Sequence, residues 1–286
     1  MNKKLLQLYG LKFNPFSPEI PTEALRRTPA VESFLWKLDN ALVQEGGFAL
    51  VTGEPGAGKS VTLRLVAERL ARQPELVVGI LSRPQANLAD FYRELGDAFQ
   101  VSLRPHNRWA GTKALRERWQ AHIDSTLCRS VLLVDEAQEM TPAVLNELRL
   151  LSSARFDAKQ LLTVVLSGDG RLVDKLRREE LLPLGSRIRT RLKLDLAEPD
   201  ELRETLVHLL AAAGNSALMT PELVTTLCEH ALGNYRVLTS LSGELLAAAA
   251  HHERPQLDEK LYFELFAPPR AVGVSRSQAS TTGRRR

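Results

Sequence analysis

The first two thirds of the chain alternate two kinds of hydrophobic pattern. Short, nearly continuous apolar runs have the length of buried strands, and between them lie longer stretches with apolar residues at helical spacing. The runs predicted to be strands are residues 48–52, 76–82, 130–134 and 161–167. The stretches predicted to be helices are residues 59–72, 88–99, 115–127 and 144–151. Strands that alternate with helices predict an α/β fold with a parallel sheet and helices on both of its faces.

A different pattern begins after Leu196, where strand signals end. Four stretches predict helices at residues 201–213, 221–231, 236–251 and 258–266. Thr220 before Pro221 is a typical helix start, with the threonine as N-cap and the proline in the first turn. We therefore divide the chain into an N-terminal extension (1–45), an α/β core (46–195), a small all-helical domain (196–266) and a disordered Arg-rich tail (267–286).

The positive charge of the chain is concentrated in this tail. The sequence has 38 Lys and Arg residues against 34 Asp and Glu residues, a formal charge of +4. Five of the arginines lie in residues 267–286, which contain no acid, so the rest of the chain is nearly neutral. This excludes a protein that is basic over its whole surface, and a nucleic-acid interaction must depend on local patches.

Neither the membrane nor the secretory pathway is indicated. No apolar run approaches the about 18 residues of a membrane span, and the N-terminus lacks the apolar segment and cleavage site of a signal peptide. Cys128 and Cys228 lie in apolar, periodic contexts, as buried thiols of a reducing compartment do. We expect a cytoplasmic protein with no membrane partner.

A phosphate-binding loop lies between the first predicted strand and the first predicted helix of the core. Residues 53–60 read G-E-P-G-A-G-K-S, which fits the pattern G-x-x-x-x-G-K-[ST]. Its glycines let backbone N–H groups surround a phosphate, Lys59 adds a point charge, and Ser60 offers a hydroxyl to Mg²⁺. ATP is expected to be held by Gly53, Glu54, Pro55, Gly56, Ala57, Gly58, Lys59, Ser60 and Val61.

Two carboxylates follow the third predicted strand. Asp135 is expected to hold Mg²⁺ together with Ser60, and Glu136 to orient and polarise the attacking water. With the phosphate loop, this pair predicts a nucleoside triphosphatase that hydrolyses ATP to ADP and phosphate. The two motifs do not define its biological task.

Further segments resemble the AAA+ ATPases, and within them the bacterial ExeA-like and transposition-helper group (the TnsC, TniB, MuB and IstB kinds). They are Tyr9-Gly-Leu-Lys-Phe-Asn-Pro-Phe16, Asp135-Glu-Ala-Gln138, Leu166-Ser-Gly-Asp169 and Gly233-Asn-Tyr-Arg236. The resemblance covers residues 5–265. It implies an αβα core, an extension that packs on the nucleotide site, and a helical lid.

The resemblance also implies three residues that sense or stabilise the γ-phosphate. Ser167, with Thr163 as the alternative, matches the polar sensor on the strand after Asp135. Arg187 matches the arginine that reaches the nucleotide of a neighbouring subunit, and the alternation of Arg187, Arg189 and Arg191 would put all three on one side of a strand. Arg236 matches the arginine that contacts the γ-phosphate of its own subunit.

For function, the resemblance implies an ATP-dependent regulator of DNA transposition. Such a protein assembles on double-stranded DNA, through its phosphate backbone, as a ring or filament with six subunits per turn, and recruits or activates a DDE-type transposase. The alternatives are an ExeA-like secretion-associated ATPase and an ATP-sensing switch with little turnover. ExeA-like proteins carry a membrane helix and an extra domain after the AAA+ region, so a chain ending after the lid favours transposition.

The expected DNA contacts lie between the second predicted strand and Asp135. Arg83 lies at the start of this interval, and Arg104, Arg108 and Lys113 are close together in a segment with Pro, Asn and Gly that predicts a loop. Such a loop would present cations to phosphates without reading bases. Trp109 is expected to anchor the loop by packing, and the tail is expected to supplement DNA affinity or contact a transposase.

Overall fold

The computed structural model describes residues 3–81, 87–103 and 107–266. Its centre is a five-stranded, all-parallel sheet with the order β2-β3-β6-β1-β7. These strands are β1 (Gly47–Gly53), β2 (Val78–Leu81), β3 (Ser130–Val134), β6 (Leu162–Gly168) and β7 (Ile188–Leu194), and a two-residue hairpin, β4 (Ser153–Ala154) with β5 (Lys159–Gln160), lies beside them. The predicted α/β class and parallel sheet are confirmed.

Helices cover both faces of the sheet and continue beyond it. In the first part of the chain they are α1 (Lys3–Tyr9), α2 (Pro29–Lys37), α3 (Val43–Glu45), α4 (Lys59–Ala71), α5 (Leu88–Phe99), α6 (Arg108–Thr126), α7 (Pro142–Leu151), α8 (Gly170–Leu176) and α9 (Leu182–Gly185). The helical domain contains α10 (Pro199–Ala213), α11 (Pro221–Ala231), α12 (Tyr235–His251) and α13 (Glu259–Phe266). None of the helices in the described ranges is both long and apolar enough to cross a bilayer.

Side chains that alternate along the strands form the hydrophobic core on both faces of the sheet. In β1, Phe48 and Leu50 face the helices α5 to α9, while Ala49 and Val51 face α2 and α4. All four side chains are at most 2% exposed. Because every central strand is buried on both faces, its sequence is continuously apolar, which is the pattern that identified the strands.

The N-terminal extension contacts two different parts of the molecule. Its first segment packs on the helical domain, where the Tyr9 hydroxyl donates to the Arg254 carbonyl at 3.0 Å and the Lys12 amide donates to the Ala213 carbonyl at 2.8 Å. Its second segment, from Ile20 to Val43, packs on the sheet face that also holds α4. The extension therefore connects the helical domain to the core.

The loop predicted around residues 104–113 is wrong from residue 108 onward. Helix α6 begins at Arg108, seven residues before the predicted start, and the Asn107 side chain caps it by accepting from the Ala110 amide at 3.0 Å. Gly111, which indicated a loop, is a packing contact: a Cβ there would lie 3.1 Å from the Tyr92 ring. Trp109 is 74% exposed, so the prediction that it anchors the segment by packing is also wrong.

Candidate functional site

The phosphate-binding loop joins the carboxyl end of β1 to the start of α4. Its lysine side chain is 7% exposed, and the Lys59 Nζ donates to the carbonyls of Gly53 at 3.0 Å and Glu54 at 3.2 Å. Gly56 and Gly58 have φ of +86° and +97°, a conformation that favours glycine. The loop thus holds the buried ammonium group of the first residue of α4 against its own carbonyl groups.

That N-terminus has an unsatisfied set of backbone donors. The first-turn N–H groups of a helix have no intrahelical partner, and elsewhere in the described chain side chains accept from them, such as Thr28, Asn87, Thr141 and Asn234. The N-cap of α4 is Gly58, which has no side chain to do this. The donors and the helix dipole are therefore available to an anion.

Three polar side chains form a hydrogen-bonded row beside the loop. Asp135 follows β3, and its Oδ2 accepts from the Ser60 hydroxyl at 2.8 Å while its Oδ1 accepts from the Ser167 hydroxyl at 3.0 Å. The row forms because β3, β6 and β1 are adjacent parallel strands whose carboxyl ends meet at one edge of the sheet. Ser167 is fully buried. Thr163, the alternative sensor, instead donates to the Leu42 carbonyl at 2.7 Å.

Glu136 lies at this edge in a strained backbone conformation. Its φ is +50°, a left-handed value that costs a non-glycine residue about 1–2 kcal/mol. The Gln138 amide donates to the Glu136 carboxylate, and the Gln138 Oε1 accepts from the Asp169 amide at 3.3 Å. Lys175 donates to the carbonyls of Gln138 at 2.6 Å and Met140 at 2.7 Å, and burial lowers the pKa of its amine. Neighbouring side chains thus hold the Glu136 segment in place.

The helical domain contacts the phosphate-binding loop directly. The Tyr235 amide donates to the Gly56 carbonyl at 3.1 Å, and the Asn234 Nδ2 donates to the Pro55 carbonyl at 2.9 Å. The approach is so close that a Cβ on Gly56 would lie 2.0 Å from the Asn234 Oδ1. Arg236 is the second residue of α12; its side chain is exposed and has no hydrogen-bond or salt-bridge partner among the described residues.

A cavity of about 310 Å³ lies next to the loop, within the size range of ligand pockets. Its walls come from the N-terminal extension, from the loop and α4, and from the helical domain; among them are Ile20, Val31, Gly58, Val61, Leu209 and Tyr235. Arg26 also lines it: its side chain donates to Glu204, and its buried Nη1 has no partner in the part of the chain that the structure describes. Arg26 is therefore a candidate polar contact for a ligand in this cavity.

Arg187 does not share a strand face with the two arginines that follow it. Arg189 and Arg191 lie on the exposed face of β7, as alternation predicts, whereas Arg187 precedes the strand. Its side chain donates to Asp157 in the β4–β5 turn and to the Pro183 carbonyl. The bonds to Asp157 from Ser153 and then from Arg187 lower the pKa of the Asp157 carboxyl.

The residues expected to contact DNA either contact other side chains of this chain or lie outside the described residues. Arg108 donates through Nε to the Glu147 Oε1 at 2.8 Å and through Nη2 to Oε2, and Lys113 lies 3.8 Å from Glu117 and over the Trp109 ring. Arg83, Arg104 and the tail lie outside the described residues. Arg108 as a DNA contact stays a prediction, and its ion pair with Glu147 disfavours that role.

The motif residues were predictable from the sequence, but the side chains that hold them were not. Gln138 and Asn234 stood inside quoted motifs without an assigned role, and Arg26 carried no signal, because its contacts are with residues distant in the chain. An asparagine immediately before a stretch with helical periodicity is a typical N-cap, and this signal could have identified Asn234 as a capping residue. It could not have identified the bond to Pro55, which depends on the fold.

Part of the chain is similar to a known family of domains. Residues 42–176 match the family described as AAA domain. The chain is 33% identical over 247 residues to the general secretion pathway protein A of Aeromonas hydrophila; the alignment covers 85% of this chain but only 44% of that protein. The chain therefore spans less than half the length of this curated relative.

Solved structures share the fold at low sequence identity. The structure of Drosophila ORC bound to DNA aligns with a TM-score of 0.70 and 18% identity, over 93% of this chain and 66% of that one. The Cdc6p structure from Pyrobaculum aerophilum aligns with a TM-score of 0.67 and 17% identity, over 85% and 67%. Residues 42–176 are therefore similar to the AAA domain, and the chain has the αβα fold of AAA+ structures.

Proposed function

We propose that this chain binds ATP with Mg²⁺ at the phosphate-binding loop and hydrolyses it, slowly or on stimulation by a partner. The observation that carries the proposal is the row Ser60–Asp135–Ser167 beside a helix N-terminus without a capping side chain. The carboxylate and hydroxyl oxygens are the hard ligands that Mg²⁺ prefers. When bound, Mg²⁺ neutralises charge on the β- and γ-phosphate oxygens.

Each polar residue of the site has a distinct proposed task. Ser60 and Asp135 would hold the metal, and Lys59 would move its ammonium group from the loop carbonyls to the phosphates. Glu136 would orient and polarise the attacking water, with Gln138 positioning its carboxylate. Ser167 and Arg236 would contact the γ-phosphate in the same subunit, and Arg187 would stabilise the transferred phosphoryl group in a neighbouring subunit. The cavity lined by the N-terminal extension would hold the base and ribose.

Two variants separate binding from turnover. Lys59→Ala removes the charge that faces the phosphates and is expected to abolish binding of a fluorescent ATP analogue. Glu136→Gln is expected to bind the analogue as the unaltered chain does and to lower kcat at least about 100-fold, the range of general acid–base contributions. Hydrolysis by Glu136→Gln at the unaltered rate would contradict the role given to this carboxylate.

The biological task forms a finer part of the proposal. We propose that the ATP-bound chain self-associates as a ring or filament on double-stranded DNA and there recruits or activates a DDE-type transposase. The motifs shared with transposition helpers support this task, and a fold neighbour whose structure was determined bound to DNA is compatible with it. Electron microscopy with a non-hydrolysable ATP analogue, with and without duplex DNA, tests it: monomers alone in both samples would contradict it.

A second candidate task is a role in a secretion pathway, favoured by the 33% identity with general secretion pathway protein A. This alternative predicts a membrane-associated partner and no dependence of assembly on DNA. Assembly that requires duplex DNA and disappears at high salt would count against it, because a protein held by phosphates is released by salt. Assembly with ATP that ignores DNA would favour it.

A further inference from the structure

A second cavity, of about 680 Å³, lies apart from the nucleotide site. It is bounded by the start of α6, the end of α7 and the β4–β5 hairpin, and it shares no lining residue with the cavity beside the phosphate-binding loop. We call it the basic cleft. Arginines and exposed aromatic rings characterise it: Arg108, Trp109, Arg116, Arg149, Arg155 and Phe156.

The acidic groups of the basic cleft are already satisfied within the fold. The Glu147 carboxylate, whose side chain is 4% exposed, accepts from Arg108 and from the Tyr92 hydroxyl. The Asp157 carboxylate accepts from the Ser153 hydroxyl at 2.5 Å and from Arg187. Neither carboxylate forms a direct ion pair with another described arginine of the cleft, and Arg149 interacts with Asp157 only at longer range.

The side chains of three arginines of the cleft form no ion pair among the described residues. Arg116 donates to the Ser153 carbonyl, and the Arg149 Nε lies 3.5 Å from the Asn146 Oδ1. The Arg155 side chain has no hydrogen-bond partner among the described residues, and only its backbone carbonyl accepts a hydrogen bond, from the Ala158 amide. Three positive charges thus converge on one cleft in a body that is otherwise nearly neutral.

The hairpin turn that borders the cleft is strained and presents a ring to water. Arg155, Phe156 and Asp157 have φ of +52°, +55° and +66°, and each left-handed residue costs about 1–2 kcal/mol. The Phe156 ring is fully exposed, and Trp109 across the cleft is 74% exposed. The strained turn thus holds an apolar ring in water, where the ring does not stabilise the fold by burial. This combination points to a function outside the folded core.

We propose that the basic cleft docks the phosphodiester backbone of duplex DNA; this inference rests on the DNA binding in the proposed function and locates it. Arg116, Arg149 and Arg155 contact phosphates, since the guanidinium fork matches phosphate oxygens. Phe156 and Trp109 pack on the sugar edges between them. The proposal assigns these guanidinium groups to phosphate oxygens and not to base edges, so the cleft follows the backbone.

The test removes the charges of two cleft arginines whose side chains form no ion pair among the described residues. The variant Arg149→Gln/Arg155→Gln is compared with Arg177→Gln/Arg203→Gln. This control removes two exposed arginines outside the cleft, at 3.6 Å from Asp174 and 3.4 Å from Asp200. Each full-length chain, with a non-hydrolysable ATP analogue, is titrated against a fluorescein-labelled duplex of random sequence at several salt concentrations. Intact secondary structure is checked by circular dichroism.

We expect the cleft variant to bind at least tenfold more weakly and to lose about two from the slope of log K against log salt, about one per phosphate contact. The control variant keeps the slope. Phe156→Ala weakens binding several-fold with the slope unchanged, because the ring carries no charge.

The outcomes separate this inference from the proposed function. If the unaltered chain binds no duplex, the proposed DNA task fails. If it binds and the cleft variant matches the control, the inference is overturned. It is also overturned if the cleft variant loses self-association without DNA, which would assign the cleft to a contact between copies. Tighter binding of single strands or of free mononucleotides at the cleft would overturn the assignment to duplex DNA.

Discussion

Removing the guanidinium of Arg108 tests whether this residue stabilises the fold or binds DNA. Its partner Glu147 is buried, and breaking a buried ion pair by deleting one partner costs about 3–5 kcal/mol. The Arg108 side chain is 58% exposed and Glu147 borders the basic cleft, so water can reach the abandoned carboxylate. We therefore expect Arg108→Ala to lower the free energy of unfolding by about 2–3 kcal/mol. That loss corresponds to a Tm lower by about 4–10 °C.

A double-mutant cycle measures the pair itself. Urea unfolding followed by far-UV circular dichroism is compared for Arg108→Ala, Glu147→Gln and the double variant. The double variant should lose about 1–2 kcal/mol less than the sum of the single losses, because it contains no abandoned charge. Lys113→Ala is the matched control: its exposed pair with Glu117, one turn further along α6, is worth about 0–0.5 kcal/mol.

Two results together would contradict the structural role of Arg108. If Arg108→Ala unfolds within about 0.5 kcal/mol of the unaltered chain and its affinity for duplex DNA falls as far as that of the Arg149 and Arg155 variant, then Arg108 is a DNA contact. The ion pair with Glu147 would then be incidental. A stability loss with nearly unchanged DNA affinity supports the structural role.

Three further predictions concern neighbouring groups. Burial and then the hydrogen bond to Glu147 raise the pKa of Tyr92 to about 12, above its ordinary 10. The stability that the neutral phenol contributes is therefore present below pH 10 and lost as the pH rises to about 12. The free energy of unfolding of Tyr92→Phe in urea should change less with pH over that window than that of the unaltered chain. Asn234→Ala removes a helix cap and the bond to the Pro55 carbonyl, so binding of a fluorescent ATP analogue should weaken about five- to tenfold, whereas Thr220→Ala, which removes a cap away from the loop, should leave it unchanged. Gln138→Ala should lower kcat at least tenfold in a phosphate-release assay with the nucleotide Kd unchanged, since the two bonds it removes, to the Glu136 carboxylate and from the Asp169 amide, do not involve the phosphate-binding loop; an equal change in Kd would refute the positioning role.

The parts of the fold that the sequence predicted well are those with an uninterrupted local pattern. The bounds of α5 and β3 agree with the prediction, because a strong helical periodicity begins at a capping asparagine in the first case and a fully buried apolar run defines the second. The start of α6 was missed because Gly111 and polar residues hide its first turns. The β4–β5 hairpin has strands of two residues, too short for any periodicity to appear.

The candidate site divides in the same way. Lys59, Ser60 and Asp135 belong to motifs whose spacing follows from phosphate and metal chemistry, so their proximity could be expected from sequence. The contact of Asn234 with Pro55 joins residues 179 positions apart. The unpartnered nitrogen of Arg26 depends on the packing of the N-terminal extension over the core. No local pattern encodes such contacts.

Asp157 connects the basic cleft to the arginine proposed to act on a neighbouring subunit. It lies in the strained turn with Arg155 and Phe156, and it accepts from the Arg187 side chain. Both partners are partly exposed, and such a pair is worth about 0–1 kcal/mol. An arginine that stabilises a transferred phosphoryl group contributes about 10³–10⁵ in rate, or roughly 4–7 kcal/mol. If Arg187 acts on a neighbour's nucleotide as proposed, the contact with Asp157 would therefore be too weak to withhold it.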